Sequence, residues 1–360
     1  MSDRQFGFKK GLGCRDAIYT LQYAVDYFSK HGSTVNVCML DMSRAFDKVN
    51  HYVLYLKLMK RKVPAQFLNV LINWYGKCFV CVKWCSVFSE WFHLSCGVRQ
   101  GGVLSPILFT VYVNDILEKL KTSELGCKIG ELYFGCLMYA DDLVLISSSV
   151  TMLQNMLHIC ENVMFELCMI FNAKKSMILR LGFNFKHKCM GVYLNSTQLL
   201  FVERAKYLGV VLLSGKRFKI SLADLKVNFY KSFNGLLYRC KGIQDEVVKF
   251  YLINTFCKPF LVYSCESVKL LVSEYRSLQH AWNCVYFRLF GISDANVIDE
   301  LNGHLNQSLL MCELSNRRCK FLNKIGAGNN ALLHSLLLYL VKCQCHEGRW
   351  TKDCIHLANV

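Results

Sequence analysis

Proline is almost missing from this chain, with three in 360 residues, and neither long apolar runs nor acidic residues are plentiful. So little proline, with 53% hydrophobic residues, excludes a proline-rich or disordered tract and leaves a chain that folds nearly throughout. Its length suits two or three domains around a substantial core. The scarcity of acid is pointed: 26 Asp or Glu stand against 43 Lys or Arg, for a formal charge of +17 and a pI near 9.1. Such an excess on a folded chain indicates a polyanionic partner, nucleic acid ahead of an anionic membrane surface. No amphipathic basic stretch supports the membrane alternative.

Apolar runs of spanning length are also lacking. Residues 103–117 are interrupted by Pro106, Asn114 and Asp115, and the run at 331–341 is too short. No membrane partner is expected. The opening MSDRQFGFKKG has charges and glycines where a secretory leader has an apolar run. The 20 cysteines sit within apolar stretches such as 37–40 and 79–82 and read as small core hydrophobes. A reducing compartment, nucleus or cytoplasm, is the expected location.

What is present has an order. Residues 35–40 form a short apolar run ending in Asp41, as a buried strand would. A helical pattern from about Phe46 to Lys60 stops before Pro64. Residues 78–95 suggest a β-hairpin. A glycine-rich turn at 97–102 leads into a helix, with Ser105 as N-cap and Pro106 as first helical residue. Residues 132–147 read as two strands joined at Ala140, Asp141 and Asp142. Leu153, Met156, Leu157, Cys160, Val163, Met164 and Leu167 keep helical spacing, 207–213 is a further strand, and helices follow. This order predicts an α+β layer with helices on one face of an antiparallel sheet.

Acids in strand contexts carry the strongest chemical signal. Asp41 ends an apolar strand, and Asp141 and Asp142 interrupt an apolar hairpin. Two adjacent aspartates alone more often mark a turn. Buried carboxylates, however, need pairing or a cation. Three like charges brought together would suit a pair of Mg²⁺ ions, which accept carboxylates plus substrate phosphates. Such a pair can serve an in-line phosphoryl displacement.

Six segments together resemble one family. MLDMSRAFDKVNH at 39–51, GVRQGGVLSPILF at 97–109 and YADD at 139–142 are similar to the three catalytic motifs of reverse transcriptases of non-long-terminal-repeat (LINE-type) retrotransposons. NAKKS at 172–176 and YLG at 207–209 resemble the two segments that follow, and QFGFKKG at 5–11 with DAI at 16–18 resembles the one that precedes. The resemblance implies a right-hand polymerase fold and an RNA-directed DNA polymerase adding dNTPs to a DNA primer on an RNA template. By motif position, Asp41, Asp141 and Asp142 would be catalytic and hold two Mg²⁺ ions, with Mn²⁺ as the substitute. Arg44 and Ala45 would face the triphosphate through their backbone. Phe46 would lie under the incoming sugar and exclude a 2′-hydroxyl; a core phenylalanine is the plainer role, and the ring can serve both. Gln100 and Gly101 would touch the nascent base pair and template. Lys175 would sit by the leaving pyrophosphate, and Tyr207, Leu208 and Gly209 would grip the primer.

Residues 1–213 are expected to form the palm with partial fingers, 214–285 a thumb-like helical domain, and 286–360 a C-terminal helical extension. Residues 201–260 hold eleven Lys or Arg against four Asp or Glu, as a surface gripping a duplex requires. The interleaved Phe218, Phe229, Tyr230, Phe233 and Tyr238 read as core. Cys343, Cys345, His346, Cys354 and His356 match no usual zinc spacing. Members of the resembled family carry further fingers, and usually an endonuclease, ahead of the Gln5 segment. This chain is accordingly expected to be a piece of a longer product. An inactive nucleic-acid-binding remnant of the same fold is the competing expectation.

Overall fold

The computed structural model describes residues 2–328 and 330–337, and the Cys343–His356 group lies outside them. The chain divides into two compact units, residues 1–13 with 24–203 and residues 14–23 with 204–360.

The first unit is built on a five-stranded sheet. Its strands are β1 (Val35–Leu40), β2 (Cys136–Tyr139), β3 (Asp142–Ser147), β4 (Met177–Leu181) and β5 (Leu200–Val202). Their spatial order is β5-β4-β1-β3-β2, with β1 central and antiparallel to both β3 and β4, and only β4–β5 parallel. Every residue of β1 is buried, so the sheet is covered on both faces at its centre. That is why residues 35–40 read as a continuous apolar run rather than an alternating one.

Helices α1 (Cys14–Lys30), α2 (His51–Lys60), α3 (Ala65–Gly76), α4 (Ser105–Thr122) and α5 (Val150–Glu166) follow in chain order, α1 giving its first residues to the second unit. On one face of the sheet, Cys38, Leu40, Cys136, Met138, Leu143, Leu145 and Ile178 join a core with Leu108, Phe109, Tyr112 and Ile116 of α4 and with Leu153, Leu157 and Cys160 of α5. All seven helix-spaced positions from Leu153 to Leu167 are buried, so the periodicity identified the face of α5 correctly.

Three local expectations need correction. The helix expected from Phe46 begins at His51, because Asn50 caps it: its side chain accepts from the Val53 N–H at 3.2 Å. Such a cap is worth about 1 kcal/mol and needs extended backbone, which Asn50 adopts, so 46–49 cannot continue the helix. Ser105 is already helical in α4, and Leu104 holds the N-cap position without a side-chain bond. Residues 207–213 are not one strand. They are half of a hairpin, β6 (Arg204–Tyr207) and β7 (Val210–Leu213), turned at Leu208 and Gly209, both with positive φ.

That hairpin belongs to the second unit, with helices α6 (Leu222–Arg239), α7 (Glu246–Phe256), α8 (Lys258–Leu261), α9 (Val272–Phe290), α10 (Ala295–His304) and α11 (Leu310–Gly326). Its core is aromatic: Phe229 stacks on Phe233 at 5.7 Å, and Phe250 and Trp282 pack beside them. Lys258 is buried there, paired with Glu313 at 2.6 Å and lying over the Trp282 ring. Burial with a partner is the condition under which a lysine is tolerated inside. Phe218, Phe229 and Phe233 are core, as expected, while Tyr238 is exposed. All described cysteines are free thiols. Those buried in the sheet, such as Cys38 and Cys136, have thiol pKa values pushed far up by burial, as inert packing residues do. Among the described residues no helix is long and apolar enough to cross a membrane.

Candidate active site

The site grows from the ends of β1 and β3. Their register pairs Leu40 with Leu143, so the next residues outward, Asp41 and Asp142, face each other across the strands. Alternation places Asp41 with Val37 and Met39, and Asp142 with Val144 and Ile146, on the face opposite α4 and α5. Tyr139 pairs with Asp142, leaving Ala140 and Asp141 as a two-residue turn. Asp141 therefore sits at the tip, beside the other two.

Electrostatics records their proximity. The Asp142 carboxyl is pushed up to about 6, first by burial, then by Asp141, then by Asp41. Asp141 is raised too, mainly by burial, with Asp41 adding to it and its own backbone N–H opposing. Both shifts are tempered by water, since Asp142 opens onto solvent. The Lys175 ammonium lies 4.0 Å from the Asp41 carboxylate. Among the described residues no three His, Cys, Asp or Glu side chains close on one point as a finished metal cage. The three aspartates are neighbours offering hard oxygen ligands, and their mutual repulsion is what a divalent cation would relieve. The donor set fits Mg²⁺ or Mn²⁺.

Each aspartate is held by the backbone around it. Asn172 N–H donates to the Asp41 carbonyl at 2.8 Å, and the Ser176 hydroxyl accepts from the Asp41 N–H at 3.2 Å. The NAKKS segment thus fixes Asp41 from below and carries Lys175 to its carboxylate.

The turn at Ala140 is strained. Its φ is +56°, while Asp141 shows no positive φ, the pattern of a II′ turn whose first central position prefers glycine. Left-handed backbone costs an alanine about 1–2 kcal/mol. Gln5, fully buried, meets it: its amide oxygen accepts from the Ala140 N–H at 3.1 Å, and its amide N–H donates to the Ala140 carbonyl at 3.3 Å. Two hydrogen bonds at about 1 kcal/mol net each are enough to offset the strain.

The loop at 97–102 is tied to the segment after Asp41. Gly97 N–H donates to the Val49 carbonyl and Val98 N–H to the Phe46 carbonyl, each at 2.8 Å. A Cβ at Gly97 would lie 2.8 Å from the Asp47 carbonyl oxygen, so only glycine fits. Gln100, exposed, donates to Asp47 at 3.2 Å, and Gly101 has φ +82°. Phe46 stacks on Phe109 at 4.5 Å, with the half-exposed Phe8 edge-on at 6.1 Å. Arg44 is exposed with φ +49° and Ala45 is buried.

Asp41, Asp141, Asp142, Lys175, Arg44, Ala45, Phe46, Gln100 and Gly101 all belong to the first unit. Tyr207, Leu208 and Gly209 form the hairpin tip of the second, where Tyr263 donates to the Leu208 carbonyl at 3.0 Å. Sequence reasoning gave no role to Gln5, Asp47 or Ser176. All three are polar residues inside matched segments, but no local pattern says that Gln5 meets residue 140.

The reverse transcriptase (RNA-dependent DNA polymerase) family matches residues 1–212. A retrovirus-related Pol polyprotein from a type-2 retrotransposable element of Drosophila melanogaster is 30% identical over 215 residues, 58% of this chain and 20% of that protein. The RNA-directed DNA polymerase from mobile element jockey of Drosophila funebris is 28% identical over 259 residues, 69% of this chain and 27% of that protein. The chain thus spans about a fifth to a quarter of the length of these relatives. Telomerase from Candida albicans is a structural neighbour at 11% identity and TM-score 0.44, covering 93% of this chain and 55% of that one. On the family match across more than half its length, with an α+β palm sheet carrying the motif aspartates, this chain belongs to the reverse transcriptase (RNA-dependent DNA polymerase) family.

Proposed function

We propose that this chain is the catalytic core of an RNA-directed DNA polymerase of a LINE-type retrotransposon, adding dNTPs to a DNA primer on an RNA template. The observation that supports it most is the cross-strand placement of Asp41 and Asp142 beside the Ala140–Asp141 turn. Two Mg²⁺ ions on Asp41 and Asp141, with Asp142 beside them, would supply charge for both the attacking 3′-hydroxyl and the leaving oxygen.

The chain's own residues do the positioning. Asp41 and Asp141 present carboxylate oxygens on backbone held by Asn172 and Ser176 at Asp41 and by Gln5 at Ala140. Lys175 stands beside Asp41, where its ammonium can give a proton to the departing pyrophosphate. Phe46, kept in place by Phe109, is the floor under the incoming sugar. Gln100 and Gly101 face the base pair from a loop anchored on 46–51. Residues 1–213 act as palm with part of the fingers. Residues 214–285 act as a thumb whose cations meet phosphates, and the Tyr207–Gly209 hairpin tip just ahead of them meets the primer end.

Primer extension on an RNA template with dNTPs and Mg²⁺ tests the reading. Incorporation should follow the template base and stop when the matching dNTP is omitted. Template-independent addition, or none, would contradict it.

A further inference from the structure

We propose that Gln5 is a positioning residue for the metal-binding turn: its buried amide locks the Ala140 peptide left-handed and so aims Asp141. The inference rests on the polymerase reading above.

Residues 4–7 lie alongside β2 as a parallel addition to its edge. Phe6 N–H donates to the Met138 carbonyl at 2.8 Å, Met138 N–H donates to the Arg4 carbonyl at 2.9 Å, and Gln5 bridges to Met138. Arg4 anchors the segment further back through the Tyr133 carbonyl. From this rail the Gln5 side chain reaches past the end of the ladder and satisfies both polar groups of Ala140. The same amide oxygen accepts from Gly7 N–H at 3.0 Å, which fixes the side chain's rotation. Gly7 is obligatory: a Cβ there would stand 2.4 Å from the Ala140 nitrogen.

A buried glutamine that only completed the sheet edge could bond anywhere along β2. This one bonds both backbone groups of Ala140, whose φ is unfavourable for its type and which stands one position before Asp141. With that lock lost, Ala140 relaxes toward ordinary backbone and the Asp141 carboxylate swings from Asp41. Groups that orient metal ligands in this indirect way typically control affinity or activity by about 10–100-fold.

The test uses the 360-residue chain and four readouts: Mn²⁺ affinity by electron paramagnetic resonance, single-turnover primer extension, primer–template affinity and thermal melting. Gln5→Met keeps the volume and removes the amide. It should weaken Mn²⁺ binding and extension by about 10–100-fold, with duplex affinity unchanged. Adding Ala140→Gly should recover much of the loss, since glycine takes this φ unaided. Where Gln5→Met lowers melting enough to blur the result, Gly7→Ala displaces the same peptide with the amide intact and should give the same selective loss. Wild-type Mn²⁺ affinity and extension in Gln5→Met, or a loss that Ala140→Gly does not touch, would overturn the assignment. A parent chain showing neither Asp141-dependent Mn²⁺ binding nor extension would instead bring down the polymerase reading, and this inference with it.

Discussion

Asp41 and Asp142 stand opposite each other across β1 and β3, one step beyond the last paired residues, Leu40 and Leu143. Opposite strand positions bring Cβ atoms to about 4.5–5.5 Å, and like charges so placed destabilise the fold. The fold keeps them there nonetheless, with Asp141 alongside.

That repulsion makes metal-free stability depend on pH. The Asp142 carboxyl is raised to about 6, by burial and then by Asp141 and Asp41. A raised carboxyl favours the folded state fully below its unfolded value of about 3.8, and the benefit is lost as pH rises through about 6. In chelator, Asp142→Asn should therefore raise the melting temperature at about pH 8 and leave it nearly unchanged at about pH 4. Equal effects at both pH values would contradict the charge cluster.

Nucleic-acid binding should be steeply salt-dependent. With a formal charge of +17, contacts to six or more phosphates would cost about a thousandfold in affinity between roughly 50 and 200 mM salt. A flat salt response of primer–template binding, followed by fluorescence anisotropy, would remove the charge argument.

Phe46 is held by Phe109 on its face and Phe8 at its edge. Under the proposed role, Phe46→Val opens the space beneath the sugar while keeping an apolar side chain. Its kcat/KM for ribonucleotides relative to deoxynucleotides should rise by at least about tenfold, with dNTP use retained. An unchanged ratio would return Phe46 to a core role only.

Tyr112 links three elements of the first unit. Its hydroxyl donates to the Leu167 carbonyl at 2.5 Å and accepts from the Asn50 N–H at 3.2 Å, at the start of α2. Tyr112→Phe should cost about 1–3 kcal/mol in urea unfolding, because buried polar groups lose their partner. A cost near zero would mean that water replaces the hydroxyl.

Much of this was legible because chemistry forced exceptions to local rules. Asp41, Asp141 and Asp142 stand out as acids within apolar strands, and the periodicity of α5 named its buried face. Boundaries were less legible. The start of α2 depends on whether Asn50 caps or continues, which the 46–60 pattern does not tell. The β6–β7 hairpin turns at Leu208, a residue that rarely takes positive φ, so its turn looked like strand. Gln5 was legible only as a match within a segment. Its partner is 135 residues away, and what it corrects is a backbone angle that no side-chain pattern encodes.

The most direct test of the account compares the chain with its Asp141→Ala variant in primer extension on an RNA template with Mg²⁺, measuring primer–template affinity in parallel. Extension should disappear while duplex affinity stays nearly intact, since on this account the substitution removes a proposed metal ligand and no phosphate contact. Undiminished extension by Asp141→Ala would contradict the account.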